Sequence, residues 1–391
     1  MIDGLIDPKR RIAVAVSGGS DSLALLHRVH AASLNVIAVT VDHGLRDTAA
    51  SEIAMVADQC TALHVPHHVI ALNHLNDGSN LQARARAARY TALSDWAQAQ
   101  GITQIAIGHT QDDQAETFML RLARGSGLDG LSAMAASWDQ NGVTFLRPVL
   151  GRSRQDLRDW LTGKGLTWAD DPSNADPRFD RVKMRQALAV LDIDPARIAD
   201  AAHHLKDAKA VVDDAVKDAF QRAGRIIDGN VMLNLEILST ARDTVIHRLI
   251  ARLVQWIGNS DYPPRFDDLR RALADGGKRT LHGVIWETND HHLRLSREYA
   301  AVQGVTTGQW DGRWRFTNAT DTQTTRALGP DGLKQCPDWR ASGYKHAQLW
   351  AAPSLWGGNQ LIAAPHAHFG PCDHLHLTLP QGITDSDVEV P

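Results

Sequence analysis

A short apolar run followed by a glycine turn, near the start of the chain, constrains the fold more than any other feature of the sequence. Residues 12–16 are Ile-Ala-Val-Ala-Val, which predicts a buried strand, and residues 23–26 are Leu-Ala-Leu-Leu, which predicts a helix. Between them lies Ser17-Gly18-Gly19-Ser20-Asp21-Ser22. A tight turn of this kind directs backbone N–H groups and small hydroxyls at an anion, and the helix dipole favours the same charge. The segment therefore predicts a phosphate-binding strand–loop–helix unit.

This loop differs from two common phosphate-binding loops. It lacks the lysine of the G-x-x-x-x-G-K-S/T loop and the spacing of the G-x-G-x-x-G dinucleotide loop. It resembles instead the S-G-G-x-D-S loop of the N-type ATP pyrophosphatases, which cleave ATP between the α and β phosphates and adenylate a substrate. An ordinary capped glycine turn is the alternative, but the full six-residue pattern in this setting favours phosphate binding.

Composition sets the broad class of the protein. The 391 residues are enough for two or three domains of about 100–200 residues each, and 43% hydrophobic residues predict a packed core. The net charge of −4 means that any RNA-binding surface must be local. None of the three cysteines lies in a C-x-x-C pair, so no zinc or dithiol site is indicated. Without an apolar run near 18 residues or a signal-peptide pattern, we expect a cytoplasmic protein with no membrane contact.

Strand and helix patterns alternate through the first half of the chain. The predicted strands are 12–16, 35–41, 67–72 and 103–108, and the predicted helices are 21–32, 48–63, 81–100 and 112–122. This alternation predicts an α/β fold with a doubly wound, Rossmann-like parallel sheet, whose ligands bind beyond the carboxyl ends of the strands. A helical pattern over 195–256, a helix at 265–274, strands within 278–303 and a weakly patterned end follow. We predict a nucleotide-binding domain at 1–190, a mainly helical domain at 191–303 and a small mixed α/β or β module at 304–391.

Polar residues that could bind a ligand follow the second predicted strand and lie within the long predicted helix at 81–100. Asp42 and His43 follow the strand and could frame a nucleotide, or form only the entry to a helix. Arg86, Arg89 and Tyr90 share one face of the helix. The planar arginine fork suits phosphate or carboxylate oxygens, whereas a solvated charged face is the alternative.

An acidic helix start follows the fourth strand. Asp112, Asp113 and Glu116 place three carboxylates in the first turns, where the helix dipole favours negative charge and simple capping is the alternative. The functional interpretation is a site for Mg²⁺ and a cationic amine, since Mg²⁺ binds a few carboxylates together with substrate phosphates. The phosphate-binding loop favours that interpretation. Arg124, near the end of this helix, could reach phosphates.

Seven blocks of the sequence, in this order, resemble the bacterial tRNA(Ile)-lysidine synthases. They are SGGSDS (17–22), VDHGLR (41–46), NLQARARAARY (80–90), GHTQDDQAET (108–117), RLARGSGLDGL (121–131), RPVLGRSR (147–154) and WADDPSNADPRFDR (168–181). The resemblance covers residues 11–185 and is looser beyond residue 190. Thr110 stands where many relatives are expected to have a second histidine.

The resemblance implies an enzyme that uses ATP and Mg²⁺ to adenylate C2 of the wobble cytidine in a tRNA(Ile) with a CAU anticodon. The ε-amine of free L-lysine then displaces AMP, giving lysidine, and codon reading changes from AUG to AUA. The family's helical and C-terminal regions hold the acceptor stem of the tRNA. A homodimer is compatible with the resemblance.

The resemblance also implies roles for individual residues. ATP would be bound by Ser17, Gly18, Gly19, Ser20, Asp21, Ser22, Asp42, His43, Arg86 and His109. The catalytic set would be Asp21, Arg89, Asp112, Asp113 and Glu116, with Mg²⁺ on Asp21 and Asp112 and the lysine ammonium on Asp113 and Glu116. The tRNA would contact Arg124, Arg152, Arg178 and Arg181.

Two alternatives stay open at this point. A tRNA thiolase shares the loop, but sulfur transfer needs paired cysteines or an iron–sulfur cluster, and Cys60, Cys336 and Cys372 are isolated in the sequence. A non-catalytic AMP- or RNA-binding module could also have kept the loop. The acidic cluster argues against that module, and turnover would distinguish the two.

Overall fold

The computed structural model describes residues 5–7, 9–32, 35–42, 49–72, 81–170, 178, 180–306, 308–371, 374–380, 383 and 388–389, with the backbone alone at 81–83 and 388–389. Contacts divide the chain into two units, Met1–Lys209 and Ala210–Pro391. Among the described residues, no helix is both long enough and apolar enough to cross a bilayer.

The first unit alternates strands and helices. Its strands are β1 (Ile12–Ala15), β2 (Val36–Asp42), β3 (His67–Ala71), β4 (Gln104–Ala106), β5 (Ser137–Gln140) and β6 (Val143–Leu146). Its helices are α1 (Ser20–Ala32), α2 (Ala49–Ala62), α3 (Leu81–Ala99), α4 (Gln111–Ala123), α5 (Leu128–Leu131), α6 (Arg154–Gly163), α7 (Asp180–Val190) and the start of α8 (Pro195–Ala223). The strands and helices predicted up to residue 122 are confirmed, with ends that differ by a few residues.

One sheet forms the centre of this unit, in the order β3-β2-β1-β4-β6-β5. All neighbours are parallel except β5, which runs antiparallel to β6. Alternate residues of β1 enter two different cores: Ile12 and Val14 pack with Leu26 of α1 on one face, and Ala13 packs with Leu93 of α3 on the other. Helices therefore cover both faces, and the predicted doubly wound parallel sheet is confirmed.

The hairpin of β5 and β6 was not predicted from the sequence. Asn141 and Gly142 join these strands with φ angles of 48° and 69°. Two successive residues with positive φ form a type I′ turn, which Asn-Gly favours because both residues tolerate the left-handed conformation. The hairpin brings Trp138 onto Phe145, with stacked rings 4.9 Å apart.

The second unit is rich in strands. They are β7 (Gly224–Ile227), β8 (Asn230–Asn234), β9 (Lys278–Leu281), β10 (Val284–Thr288), β11 (His292–Arg297), β12 (Val305–Thr306), β13 (Trp314–Phe316), β14 (Thr324–Ala327), β15 (Pro353–Gly357), β16 (Gln360–Ala363), β17 (Leu375–Leu377) and β18 (Val388–Glu389). Its helices after α8 are α9 (Leu235–Leu238), α10 (Asp243–Gly258), α11 (Phe266–Asp275), α12 (Gly329–Leu333) and α13 (His346–Trp350).

The strands of this unit form a sheet in the order β18-β7-β8-β11-β10-β9, a second in the order β12-β14-β15-β16, and the pair β13-β17. The continuous helical pattern predicted over 195–256 is wrong at 224–234. Asp228 and Gly229, with φ angles of 50° and 71°, join β7 and β8 by the same kind of turn as Asn141-Gly142. Trp286, Trp310 and Trp314 share one core. The predicted division of the chain at residues 190 and 303 stays a prediction.

Candidate active site

A cleft of about 790 Å³ lies at the carboxyl ends of β1, β2 and β4, in the first unit. β1 and β4 are neighbours, and the chain leaves them in opposite directions along the sheet. Such a switch point is where open parallel sheets bind ligands. Val39, Val41 and Leu93 supply apolar lining, and the phosphate-binding loop supplies polar lining.

The loop of residues 17–22 is held by its own hydrogen bonds. The Ser22 hydroxyl donates to the Gly19 carbonyl (3.0 Å) and accepts from the Ser17 N–H (3.1 Å). Gly18 has a φ of +85°, which favours glycine. A Cβ at Gly108 would lie 3.0 Å from the backbone N of Ser22, so a glycine at the end of β4 lets the start of α1 approach closely.

Asp113 is fixed by a capping box at the start of α4. Its carboxylate accepts from the N–H (2.8 Å) and the hydroxyl (2.9 Å) of Thr110. Burial alone would raise the pKa of Asp113, but the positive charges of Arg154 and Arg181 and the hydrogen bond from Thr110 hold this pKa below its usual value. Thr110, at the position where a second histidine was expected, therefore orients a carboxylate.

One guanidinium lies among three carboxylates in the cleft. Arg154 Nε donates to Asp21 Oδ2 (3.1 Å), while its Nη2 and Nη1 lie 3.7 Å and 3.6 Å from Asp113 Oδ1 and Glu116 Oε1. We call Asp21, Asp113 and Glu116 the carboxylate cluster. Burial raises the pKa of Asp21 although Arg154 opposes that shift. The cluster is a strong cation site that is filled by the protein's own side chain.

Two further arginines reach the carboxylate cluster from α7. Arg185 Nε donates to Glu116 Oε1 (2.8 Å), and Arg181 Nη1 lies 3.7 Å from Asp113 Oδ1. These arginines are four residues apart and share one helix face. On α6, Arg158 occupies the equivalent position after Arg154, and its Nε donates to Ser20 Oγ (3.3 Å).

Three buried oxygens at the cleft have no hydrogen-bond partner among the described residues. They are Glu116 Oε2, Thr117 Oγ1 and the Tyr90 hydroxyl, and all three residues line the cleft. A buried polar atom without a partner is destabilising. A polar ligand in the cleft would satisfy these atoms.

His109 has a fixed tautomer. Arg147 Nε donates to His109 Nδ1 (2.8 Å), and Arg147 also donates to the Ala135 carbonyl and lies over the Trp138 ring. An arginine N–H can only donate, so Nδ1 must be an acceptor and the proton of the neutral ring lies on Nε2. Burial lowers the pKa of His109 to about 3. His109 therefore offers the cleft a neutral hydrogen-bond donor.

We expect His109 to make the free energy of unfolding pH-dependent. The unfolded chain binds a proton at this ring below its ordinary pKa of 6.5, whereas the folded chain does so only below about 3. Stability therefore falls as the pH is lowered from 7 through this window. Denaturant unfolding of His109→Gln should show a smaller loss on acidification than the parent protein. An equal loss in both would contradict this assignment.

The structure brings most of the predicted site residues to one cleft. Those that line it are Ser17, Gly19, Ser20, Asp21, Ser22, Arg89, His109, Asp113, Glu116, Arg124 and Arg181. Those outside its lining are Gly18, Asp42, Arg86, Asp112, Arg152 and Arg178. His43 lies outside the described residues.

Several of these residues have other contacts. Asp112 Oδ2 accepts from the backbone N–H of Arg154 (2.7 Å), so it joins α4 to the start of α6. Arg86 lies 5.0 Å from the centre of the Tyr90 ring. Arg124 pairs with Asp180 at 3.3 Å.

Three further site residues were not predicted from the sequence: Arg154, Arg158 and Arg185. All three line the cleft. A feature of the sequence could have indicated them. Arg154 and Arg158 are four residues apart, as are Arg185 and the predicted Arg181, and this spacing puts each pair on one helix face.

Comparison with known proteins places the chain in a family. Residues 2–191 match the family described as the PP-loop domain. A tRNA(Ile)-lysidine synthase of Ruegeria pomeroyi is 42% identical over 374 residues, which are 92% of this chain and 89% of that protein. The chain belongs to the tRNA(Ile)-lysidine synthase family.

Other tRNA(Ile)-lysidine synthases match over shorter lengths. The one from Novosphingobium aromaticivorans is 39% identical over 75% of this chain and 90% of its own length. Among solved structures, a U34-tRNA thiolase of Methanococcus maripaludis aligns with a TM-score of 0.43 and 16% identity, over 53% of this chain and 74% of its own.

Proposed function

We propose that this protein joins L-lysine to C2 of the wobble cytidine in tRNA(Ile) with a CAU anticodon. ATP adenylates the cytidine, and the products are lysidine, AMP and diphosphate. Family membership over almost the whole chain supports this reaction. The observation that carries it is the buried Glu116, 2% exposed, whose Oε2 has no partner among the described residues and whose side chain lines the same cleft as the phosphate-binding loop.

The chemistry of the cysteines supports an amine as the nucleophile rather than sulfur. Burial raises the pKa of Cys60 to about 11 and that of Cys336 to about 11. Both therefore stay protonated at neutral pH, and the thiol is a much weaker nucleophile than the thiolate. Neither residue lines the cleft, and Cys372 lies outside the described residues.

In the first step, the cytidine O2 would attack the α-phosphorus of ATP, and the bond to the β-phosphate would break with loss of diphosphate. Backbone N–H groups and hydroxyls of residues 17–22, at the start of α1, suit the phosphate oxygens. His109 Nε2–H and Arg89 would donate to oxygens on which negative charge develops.

The cleft fits Mg²⁺ in part. Asp21, a residue of the phosphate-binding loop, lines the cleft. No group of three or more His, Cys, Asp or Glu side chains in the described part of the chain is arranged to hold a metal. Mg²⁺ is commonly held by one or two carboxylates together with substrate phosphates. Bound Mg²⁺ would neutralise charge on the departing diphosphate. Asp21 is the protein ligand that we propose, and Asp112 stays a prediction from the resemblance.

In the second step, the ε-nitrogen of lysine would attack C2, and the C2–O2 bond would break with loss of AMP. The ammonium form must first give up a proton, and Glu116 or Asp113 would bind the ammonium and accept that proton. The exposed Arg124, Arg152, Arg178 and Arg181 would contact tRNA phosphates. We also propose that the regions at 191–303 and 304–391 hold the rest of the tRNA.

Labelled lysine tests this function directly. The purified protein should transfer labelled lysine to a tRNA(Ile) transcript with a CAU anticodon, in a reaction that needs ATP and releases AMP. A transcript with a different wobble base is the control. AMP release that depends on tRNA, without transfer of label, would keep the adenylation and refute lysine as the nucleophile. Neither signal, beside an active relative, would favour a non-catalytic binding module.

A further inference from the structure

The side chain of Arg154 occupies the place where the proposed function puts the lysine ammonium. Asp113 and Glu116 lie three residues apart on α4, and both are buried. Arg154 bridges them, with its nitrogens 3.7 Å and 3.6 Å from their carboxylates. A second cation cannot lie between these carboxylates while the guanidinium remains there, because like charges repel and the volume is filled.

Arg154 differs from the other two arginines at this cluster. Among the described residues, it alone contacts all three carboxylates. Arg181 contacts Asp113, and Arg185 contacts Glu116. The side chain of Arg154 is also the least exposed of the three, at 18% against 44% and 39%. It is therefore the group whose departure would open the space between Asp113 and Glu116.

The same guanidinium lies within reach of the phosphate-binding loop. Its one short contact is with Asp21 of that loop (3.1 Å). Arg158, one turn further along α6, already donates to Ser20 of the loop. Phosphate oxygens attract guanidinium strongly and often accept two hydrogen bonds from it. A rotation of the side chain would move Arg154 from the carboxylate cluster to the phosphates of a bound nucleotide.

We infer that Arg154 is a positioning residue that fills the amine subsite until a nucleotide binds, and so makes lysine binding depend on nucleotide binding. This inference rests on the proposed function, because that function assigns Asp113 and Glu116 to lysine. The consequence is an order of binding: the space between Asp113 and Glu116 becomes available to lysine only when nucleotide phosphates are bound at the loop of residues 17–22. Coupling of this kind is reciprocal, so lysine must raise the affinity for the nucleotide by the same factor.

Equilibrium dialysis with labelled lysine tests this coupling without turnover. The nucleotide is α,β-methylene-ATP with Mg²⁺, in which a methylene group replaces the oxygen that bridges the α and β phosphorus atoms, so that this linkage cannot be cleaved. We expect the lysine Kd of the parent protein to fall by about tenfold or more when the analogue is saturating. In the absence of nucleotide, lysine should bind more tightly to Arg154→Met than to the parent protein. For this variant, the ratio of the lysine Kd without the analogue to the lysine Kd with it should be close to one.

Two further variants make the result specific. Arg10→Met, which removes an exposed arginine that pairs with Asp7 outside the cleft lining, should keep the parent ratio at saturating analogue. Circular dichroism shows whether Arg154→Met folds, and Arg154→Lys replaces it if it does not. The ratio of the lysine Kd values without and with the analogue should be smaller for Arg154→Lys than for the parent, because an ammonium lacks the planar fork. A parent ratio near one, or a full ratio in the folded Arg154 variant, would overturn the inference.

Transfer of labelled lysine to tRNA, measured on the same preparations, separates the two proposals. Transfer by a parent protein whose Kd ratio is close to one would refute the role of Arg154 and leave the function intact. Absence of both transfer and lysine binding would refute the proposed function itself.

Discussion

Glu116→Gln should raise the lysine concentration needed for half-maximal lysidine formation by about a hundredfold, a free energy of about 2.7 kcal/mol. Truncating one partner of a buried, hydrogen-bonded charge pair costs about 2–5 kcal/mol, so the expected effect lies within that range. Glu116 is 2% exposed, and its Oε1 accepts from Arg185 at 2.8 Å. Glutamine keeps the shape of the side chain but loses the charge that would hold an ammonium.

The measurement is the initial rate of labelled lysine transfer as a function of lysine concentration, beside tRNA-dependent release of diphosphate from ATP without lysine. Diphosphate release should change much less than the lysine requirement, because the adenylation step does not use the amine. Asp180→Asn is the control, since Asp180 also lines the cleft but is exposed. An unchanged lysine requirement in Glu116→Gln would remove Glu116 from the amine subsite.

Asp21→Asn should lower the rate of tRNA-dependent AMP formation by about a thousandfold. A metal ion and preorganised donors each stabilise a transition state of phosphoryl transfer by several kcal/mol, and Asn loses the charge that would hold the ion. The fold should not suffer, because burial raises the pKa of Asp21 and a neutral side chain is therefore well tolerated there. An amide oxygen can still accept the Ser20 hydroxyl, which lies 3.2 Å from Asp21 Oδ1.

AMP release measured by chromatography, together with the melting temperature, checks this second expectation. The melting temperature should stay the same or rise, whereas that of a misfolded variant would fall. Asp170→Asn provides a control with a carboxylate on the same cleft that pairs with Arg158 instead of Arg154. Normal AMP formation by Asp21→Asn would show that this carboxylate holds no essential ion.

The sequence predicted the α/β sheet because its central strands are buried on both faces and are continuous apolar runs. It did not predict the hairpins of β5–β6 and β7–β8, although Asn141-Gly142 and Asp228-Gly229 are strong turn pairs. The first lay in a stretch without an assigned element. The second lay within the alanine-rich segment 195–256, where the helical spacing of the apolar residues was given more weight than the Asp-Gly turn pair.

The candidate site was predictable where its residues follow a strand and not where they lie on later helices. Asp21, Asp113 and Glu116 come soon after β1 and β4, and parallel strands bring their carboxyl ends together. Arg154 and Arg185 lie on α6 and α7, whose spacing shows which residues share a face but not which element that face meets. The contacts with the carboxylates 133 and 69 residues away arise from tertiary packing.

The hydrogen bond from the Arg154 backbone to Asp112 has a kinetic consequence. It fastens the first residue of α6 to α4, so the backbone at Arg154 stays in place when the side chain changes partners. Exchange between the carboxylates and a nucleotide then needs only side-chain rotations. Collective helix movements take microseconds to milliseconds. Lysine entry would therefore wait for the Arg154 side chain to leave its carboxylate partners, and not for a movement of α6 against α4.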